Sequence, residues 1–103
     1  MFTLCQYNYF MKFEWDEEKN NLDIQKHGLD FDIVPEIFAG PMLIKLDNRQ
    51  NYGEDRWMGI GTAKGRILVV VFTERNRGET IRIISLRKAL QYERKKFEER
   101  IKN

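Results

Sequence analysis

Ten residues in the last third of the chain combine a strand-like pattern with basic side chains that can bind phosphate. The stretch Thr80–Ala89 reads TIRIISLRKA and includes Arg82, Arg87 and Lys88. A guanidinium group stays charged at neutral pH and can bind two phosphate oxygens at once. Ser85 is a favourable N-cap, so the pattern predicts a strand that gives way to a helix. The free N–H groups of that helix would add to an anion site.

More arginines are expected near this stretch. Arg75 and Arg77 lie in the turn before it, and Arg56 begins an earlier strand. Guanidinium groups can orient a phosphodiester and stabilise the charge that develops during phosphoryl transfer. RNA supplies its own nucleophile, the 2′-hydroxyl, so such a site needs only a general acid or base, for example His27 or Glu74. The alternative is that these cations are solvated or salt-bridged surface side chains, and the residue types alone leave both interpretations open.

Other kinds of site lack the residues that they require. The chain has one histidine and one cysteine, Cys5, so we expect no zinc site, no bound metal and no internal disulfide. The Gly59-x-Gly61 pair lacks the third glycine of a dinucleotide-binding loop, and we expect no cofactor. Ser85 is better explained as a helix cap than as a nucleophile.

Length and charge limit the number of domains and the kind of partner. At 103 residues, 42% of them hydrophobic, the chain can form one modest core. Residues 13–56 hold 11 acids and 5 bases, whereas residues 75–103 hold 10 bases and 4 acids, which favours a basic surface for a polyanion. The single cysteine fits a reducing cytoplasm, and we expect no membrane partner because no apolar run approaches the roughly 20 residues needed to span a bilayer.

The order of apolar and turn-forming residues predicts a small α+β domain. Residues 1–10 are expected to be an N-terminal extension, with an added edge strand as the alternative, and residues 11–103 a single domain. The expected elements are a strand at 12–15, a helix from the N-cap Asp16 to Gly28, a short helix at 34–38, strands at 42–46, 56–63, 66–74 and 80–85, and a helix from Leu86. Short turns between the four later strands predict a small antiparallel β-meander, packed on one face by two N-terminal helices and one C-terminal helix.

Several short motifs of this sequence resemble the BrnT toxin family. They are FEWDEEK at 13–19, KHGLDF at 26–31, EDR at 54–56, GIG at 59–61, LVVVFT at 68–73 and RIISLRKA at 82–89. Each motif is weak alone, but their combination at this spacing is specific, and the resemblance runs from about Lys12 to Phe97.

This resemblance implies a type II toxin with a RelE-like fold. Such a protein would be a metal-independent ribonuclease that halts translation in the cytoplasm. Its partner would be a BrnA-like antitoxin with a ribbon-helix-helix domain, and it would reach DNA only through the complex with that antitoxin.

The resemblance also implies roles for particular residues. Carried over by motif, the cleavage residues would be Arg75, at the end of the LVVVFT strand, and Arg87, with Lys26 and His27 from the KHG motif. Arg77 is an alternative counterpart of Arg75. The predicted RNA-binding residues are Arg56, Arg77, Arg82 and Lys88. A second hypothesis is a binding module without catalysis, and a third is a purely structural subunit.

Overall fold

A computed structural model of the chain describes residues 2–7, 11–49 and 51–101. Its strands are β1 (Thr3–Cys5), β2 (Lys12–Glu14), β3 (Met42–Leu46), β4 (Trp57–Ala63), β5 (Arg66–Arg75) and β6 (Thr80–Lys88). Its helices are α1 (Glu17–His27), α2 (Val34–Ala39), which follows a 3-10 turn at Phe31–Ile33, and α3 (Gln91–Ile101). The strands form one six-stranded sheet in the order β1-β3-β4-β5-β6-β2, and the predicted α+β class is confirmed.

The predicted meander forms the centre of the sheet. Strands β3 to β6 are consecutive antiparallel neighbours. The run Leu68–Thr73 of β5 is buried on both faces of the sheet, as its continuous apolar sequence predicts. On the far side of β6, β2 pairs in parallel, with Lys12 opposite Thr80, so the sheet is mixed.

The first residues of the chain add a strand to the opposite edge. Thr3–Cys5 pairs antiparallel with β3, which is the edge-strand alternative for these residues. The ring of Tyr7 then packs edge-on against Phe38 and Phe72, with ring centroids 4.9 and 6.2 Å away. Residues 8–10 lie outside the described part of the chain, and the division into an extension and a domain stays a prediction.

The three helices do not share one face of the sheet, so that prediction was wrong. One buried cluster joins the α1–α2 region to Leu68, Val70 and Phe72 of β5, while α3 packs on the other face around Val69 through Phe97. Because β5 is apolar at every position from 67 to 72, its side chains must be buried on both faces of the sheet. The α1–α2 region covers one face and α3 covers the other. We call these the α1/α2 face and the α3 face.

The predicted strand-to-helix junction at Ser85 was also wrong. Strand β6 continues to Lys88, paired with β5 as far as Leu68 opposite Lys88, and α3 begins only at Gln91. A register shift between Val71 and Phe72 marks a β-bulge that places an extra residue of β6 before Ser85. Ser85 therefore lies in a strand and caps no helix. Arg87 and Lys88 therefore lie on a strand and not in the first turn of a helix.

The predicted limits of α1 are confirmed. The Asp16 carboxylate accepts hydrogen bonds from the N–H groups of Glu18 and Lys19, and Gly28 ends the helix in the left-handed conformation, with φ of 71°. A buried asparagine then fixes the next segment, because Asn20 donates to Asp30 and accepts from the Phe31 N–H.

Two glycines of β4 allow α2 and β3 to pack closely against the sheet, and they predict unequal costs of substitution. A Cβ on Gly61 would lie 2.7 Å from Cγ2 of Ile37, a stiff β-branched residue of α2, whereas a Cβ on Gly59 would meet the flexible end of Met42. We expect Gly61→Ala to lower the free energy of unfolding by about 2 kcal/mol, and Gly59→Ala by roughly half as much. Urea denaturation of the two variants measures this, and equal costs would contradict the packing argument.

Candidate functional site

Helix α3 covers only one half of its sheet face. The helix starts beside β6, where the Ala89 N–H donates to the Ile67 carbonyl at 3.1 Å, and ends near β1, where Arg100 donates to the Phe2 carbonyl at 3.4 Å. It therefore crosses the strands, packed over the row formed by Leu43, Ile60 and Val69. Met58, opposite Val71, is the last member of this cluster along the sheet, and the positions from Thr73 to Arg75 of β5 lie outside it, to one side of the helix. We call this region the open half-face.

Two predicted RNA-binding arginines flank a threonine on the open half-face. Thr73 pairs with Arg82 of β6, and the pairing of Trp57 with Phe72, continued by one residue, places Arg56 on its other side. A hydrogen bond from the Asp47 N–H to the Arg56 carbonyl, 2.7 Å long, extends the β3–β4 ladder to this residue. Arg82 also forms a 2.7 Å ion pair with Glu14 of β2. Arg56, Thr73 and Arg82 thus form one row across three strands.

The loop between β3 and β4 places an aromatic ring over this row. The Arg56 guanidinium lies 4.0 Å from the centre of the Tyr52 ring, a cation–π contact. The loop is held by buried Asp47, which accepts two hydrogen bonds from the Arg49 guanidinium at 2.7 and 2.8 Å and one from the Tyr52 hydroxyl at 3.5 Å. These bonds with Arg49 hold the pKa of the Asp47 carboxyl below its usual value.

Arg87, the leading catalytic candidate, is bound to a buried carboxylate. Its guanidinium makes a two-pronged ion pair with Glu93 at 2.8 and 2.9 Å, and the Glu93 side chain is only 1% exposed. The same carboxylate accepts the Leu90 N–H at 2.8 Å at the start of α3. Burial acts to raise the pKa of Glu93, but the hydrogen bonds outweigh it and the pKa lies below its usual value. Arg87 therefore has a structural role in fastening α3 to β6.

This pair predicts a pH-dependent contribution to stability. Because the pKa of Glu93 is lowered in the folded protein, its contribution is complete at neutral pH and is lost as the pH falls through the folded-state pKa. We expect Glu93→Gln to lower the free energy of unfolding by about 2 kcal/mol at pH 7, and by less than about 1 kcal/mol near pH 3. Urea denaturation across this pH range measures the difference, and a constant difference would contradict the assignment.

Lys26 and His27 lie at the end of α1, beside the outer edge of β6. One turn earlier, the carboxylate of buried Asp23 in α1 lies close to the backbone N–H of Leu86. Burial raises the pKa of the Asp23 carboxyl, and the nearby His27 charge opposes this effect. Along the direction of β6, His27 therefore lies near the end of the strand that carries Arg87.

The remaining predicted residues lie at both ends of β5 and β6. Arg75 forms a 3.4 Å ion pair with Glu54, and Arg77 lies in the β5–β6 turn with a positive φ of 58°. Lys88 is exposed at the opposite end of β6, where its pairing with Leu68 places it on the α1/α2 face.

The structure divides the predicted catalytic residues into two groups. Arg87 pairs with Val69, and Arg75 lies six positions further along β5, a separation of about 20 Å at 3.3–3.4 Å per residue. Arg75 and Arg77 are at one end of this span and Arg87 is at the other. Lys26 and His27 are level with Arg87 but belong to α1, which lies on the α1/α2 side of the sheet. Arg56 and Arg82 lie between the two ends, about 7 Å from Arg75 along the strand. The two guanidinium groups are held by different carboxylates, Arg75 by Glu54 and Arg87 by Glu93, so they do not converge on one point.

Sequence reasoning missed three residues of this region. They are Thr73, Arg49 and Glu93. Strand alternation along β5 could have placed Thr73 on the same face as Val69 and Val71. The partnership of Glu93 with Arg87 could not be found, because a helix was predicted where β6 continues.

A family model matches residues 15–93, most of the chain. The matching family is one of small ribonuclease toxins, described as the ribonuclease toxin, BrnT, of type II toxin–antitoxin systems. The chain belongs to this family. No curated protein matches the chain.

The described residues contain neither a cluster of metal ligands nor a membrane-spanning helix. No group of three or more His, Cys, Asp or Glu side chains there is arranged to hold a metal ion. None of the three helices is long and apolar enough to cross a membrane.

Proposed function

We propose that this toxin is a metal-independent endoribonuclease that inhibits translation in the cytoplasm by cutting RNA bound along the α3 face. The observation that supports this most strongly is the row of Arg56 and Arg82 on the open half-face, with the Tyr52 ring stacked on Arg56. Single-stranded RNA is commonly bound by positively charged grooves that carry aromatic side chains. The span of about 20 Å between Arg75 and Arg87 is one that a strand of RNA, rather than one phosphate, would follow.

The proposed chemistry is attack by a 2′-hydroxyl on the adjacent phosphate. Breaking the bond to the 5′-oxygen gives a 2′,3′-cyclic phosphate and a new 5′-hydroxyl, so no protein nucleophile is needed. Arginine stabilises the charge of the pentacovalent state, and Arg75 and Arg87 remain the candidates for this role. His27 and Lys26 remain candidates for proton transfer, and this role requires RNA to reach the outer edge of β6 beside the end of α1.

We also propose a BrnA-like ribbon-helix-helix antitoxin as the neutralising partner. A segment that blocks the open half-face would need acidic or aromatic side chains to match Arg56, Arg82 and Tyr52. DNA binding would then belong to the ribbon-helix-helix domain of the complex.

The proposed activity is tested by inducing the wild-type chain in a bacterial host and sequencing RNA ends, together with cleavage of RNA by the purified protein in EDTA. We expect growth arrest, and cleavage with cyclic phosphate ends that EDTA does not inhibit. Salt-dependent RNA binding without any product would instead support the non-catalytic binding module. Cleavage that EDTA abolishes would overturn metal independence.

A further inference from the structure

Two polar groups on the open half-face are buried and have no hydrogen-bond partner within the described structure. They are the hydroxyl of Thr73, a residue that is 2% exposed, and the Nε–H of Arg56. Buried polar groups in native proteins are nearly always paired, so an orphan calls for an explanation. Thr80, on the same face two rows closer to the β5–β6 turn, shows the usual arrangement, because its hydroxyl accepts a hydrogen bond from Asn76 at 3.1 Å.

The two orphans are neighbours. Arg56 and Thr73 lie opposite each other on adjacent strands, where Cβ atoms are about 5 Å apart. The Nε–H of arginine can only donate, and a threonine hydroxyl can donate as well. The Thr73 oxygen could also accept, but neither group has a hydrogen-bond partner, so Arg56 Nε–H does not donate to it. Both donors therefore remain available to one acceptor from outside the chain.

The surroundings define the charge of that acceptor. The side chains next to Thr73 on this face include Arg56, Arg82 and, two residues further along β5, Arg75. The carboxylates near these arginines are already paired. Glu14 is paired with Arg82, Glu54 with Arg75, and Asp47, which lies opposite Arg56 on β3, with Arg49. A group of three cations with its carboxylates engaged favours an anionic oxygen from outside the chain.

We propose that Thr73 and Arg56 form a phosphate subsite, in which the Thr73 hydroxyl and the Arg56 Nε–H donate to the non-bridging oxygens of one RNA phosphate. This inference rests on the proposed function and adds a binding residue that the catalytic candidates do not include. The subsite lies about 13 Å along β5 from the position of Arg87, so it would hold a different phosphate of the same strand.

Access to this subsite requires movement of the Tyr52 ring. The ring covers the Arg56 guanidinium at 4.0 Å, and its hydroxyl is held only by a long, 3.5 Å contact with Asp47. A weak contact of this length lets the ring swing away as the phosphate enters. The displaced ring can then stack on a base, as aromatic side chains do in single-strand binding proteins.

Three threonine variants test the subsite. Thr73→Val removes the unpaired hydroxyl and keeps the shape of the side chain. Thr73→Ser restores a hydroxyl, and Thr80→Val removes a hydroxyl that is already bonded. The measurements are the thermal midpoint and the affinity for a short single-stranded RNA that carries a 2′-O-methyl group at the cleavage position mapped with the wild type.

We expect Thr73→Val to keep or raise the thermal midpoint, by up to about 4 °C, because it removes a buried unpaired group, and yet to weaken RNA binding about ten- to a hundredfold. Thr73→Ser should bind within about threefold of the wild type. Thr80→Val should show the opposite behaviour, a lower midpoint with unchanged RNA affinity. A purely structural Thr73 would give wild-type RNA affinity in Thr73→Val, which would overturn the subsite. If the wild type itself neither bound nor cut RNA, that result would contradict the proposed function, and the subsite with it.

Discussion

Replacing Arg87 with alanine is expected to lower the free energy of unfolding by about 3–5 kcal/mol. The reason is that Glu93, only 1% exposed, would keep its charge in the protein interior without the two hydrogen bonds that compensate for burial. The start of α3 would also lose its connection to β6. Urea denaturation of the wild type and Arg87→Ala measures this loss, and a change below about 1 kcal/mol would contradict the structural role of the pair.

A loss of toxicity in Arg87→Ala would therefore not identify a catalytic residue by itself. The double variant Arg87→Met, Glu93→Gln separates the two roles, because it removes the guanidinium and leaves no buried charge unpaired. The glutamine oxygen can still accept the Leu90 N–H that Glu93 accepts in the wild type. We expect the double variant to recover roughly 2 kcal/mol of the lost stability.

The activity of this double variant then decides the role of Arg87. If Arg87 contacts RNA in the transition state, the refolded double variant should remain non-toxic, and its cleavage rate should stay at least about a hundredfold below that of the wild type. If growth arrest and cleavage return together with stability, Arg87 only fastens α3. The proposed catalytic role would then have to move to other residues of the face, with Arg75 the first candidate.

Local sequence signals predicted local structure well in this chain. Asp16 and Gly28 limit α1 as expected, because capping depends on residues within one turn of the helix end. The β3–β6 meander followed from short turns and apolar runs. The parallel pairing of β2 with β6 was not predicted, because it joins residues 68 positions apart, such as Lys12 and Thr80, and no local pattern reports it.

The error at Ser85 has a specific physical cause. Leu86 and Ala89, three residues apart, look like one face of a helix, but Leu86 packs into the α1/α2 cluster and Ala89 into the α3 cluster. In a sheet that is covered on both faces, strand residues on opposite sides can both be apolar, and the helical period then arises by coincidence. The sequence identifies the basic residues of the site, but which of them are neighbours in space depends on where β6 ends. Register, rather than composition, separates Arg75 from Arg87 by about 20 Å.

Removing the two arginines that flank Thr73 is expected to have the largest effect on RNA binding. Arg56 and Arg82 are both long cations on the open half-face, and Arg82 is partly exposed. In Arg56→Gln, Arg82→Gln, the plot of log affinity against log salt should become less steep by about 1.4, since each phosphate contact in a single strand contributes roughly 0.7. Near 0.1 M salt we expect affinity to fall about a hundredfold, while stability changes little because the Arg82–Glu14 pair is exposed to solvent. Fluorescence anisotropy over a salt series measures both quantities.

The matched control removes the same charge from a different place. Lys64 and Arg66 are exposed on either side of the β4–β5 turn, at the end of the sheet away from Arg56 and Arg82. The variant Lys64→Gln, Arg66→Gln has the same net charge as the test variant, so a general effect of charge would weaken RNA binding equally in both. If Arg56 and Arg82 contact RNA phosphates directly, the slope of the control variant should change by less than about 0.3. Equal slopes in the two variants would show that RNA is held by the overall positive charge of the protein. That result would contradict the open half-face as the RNA-binding site.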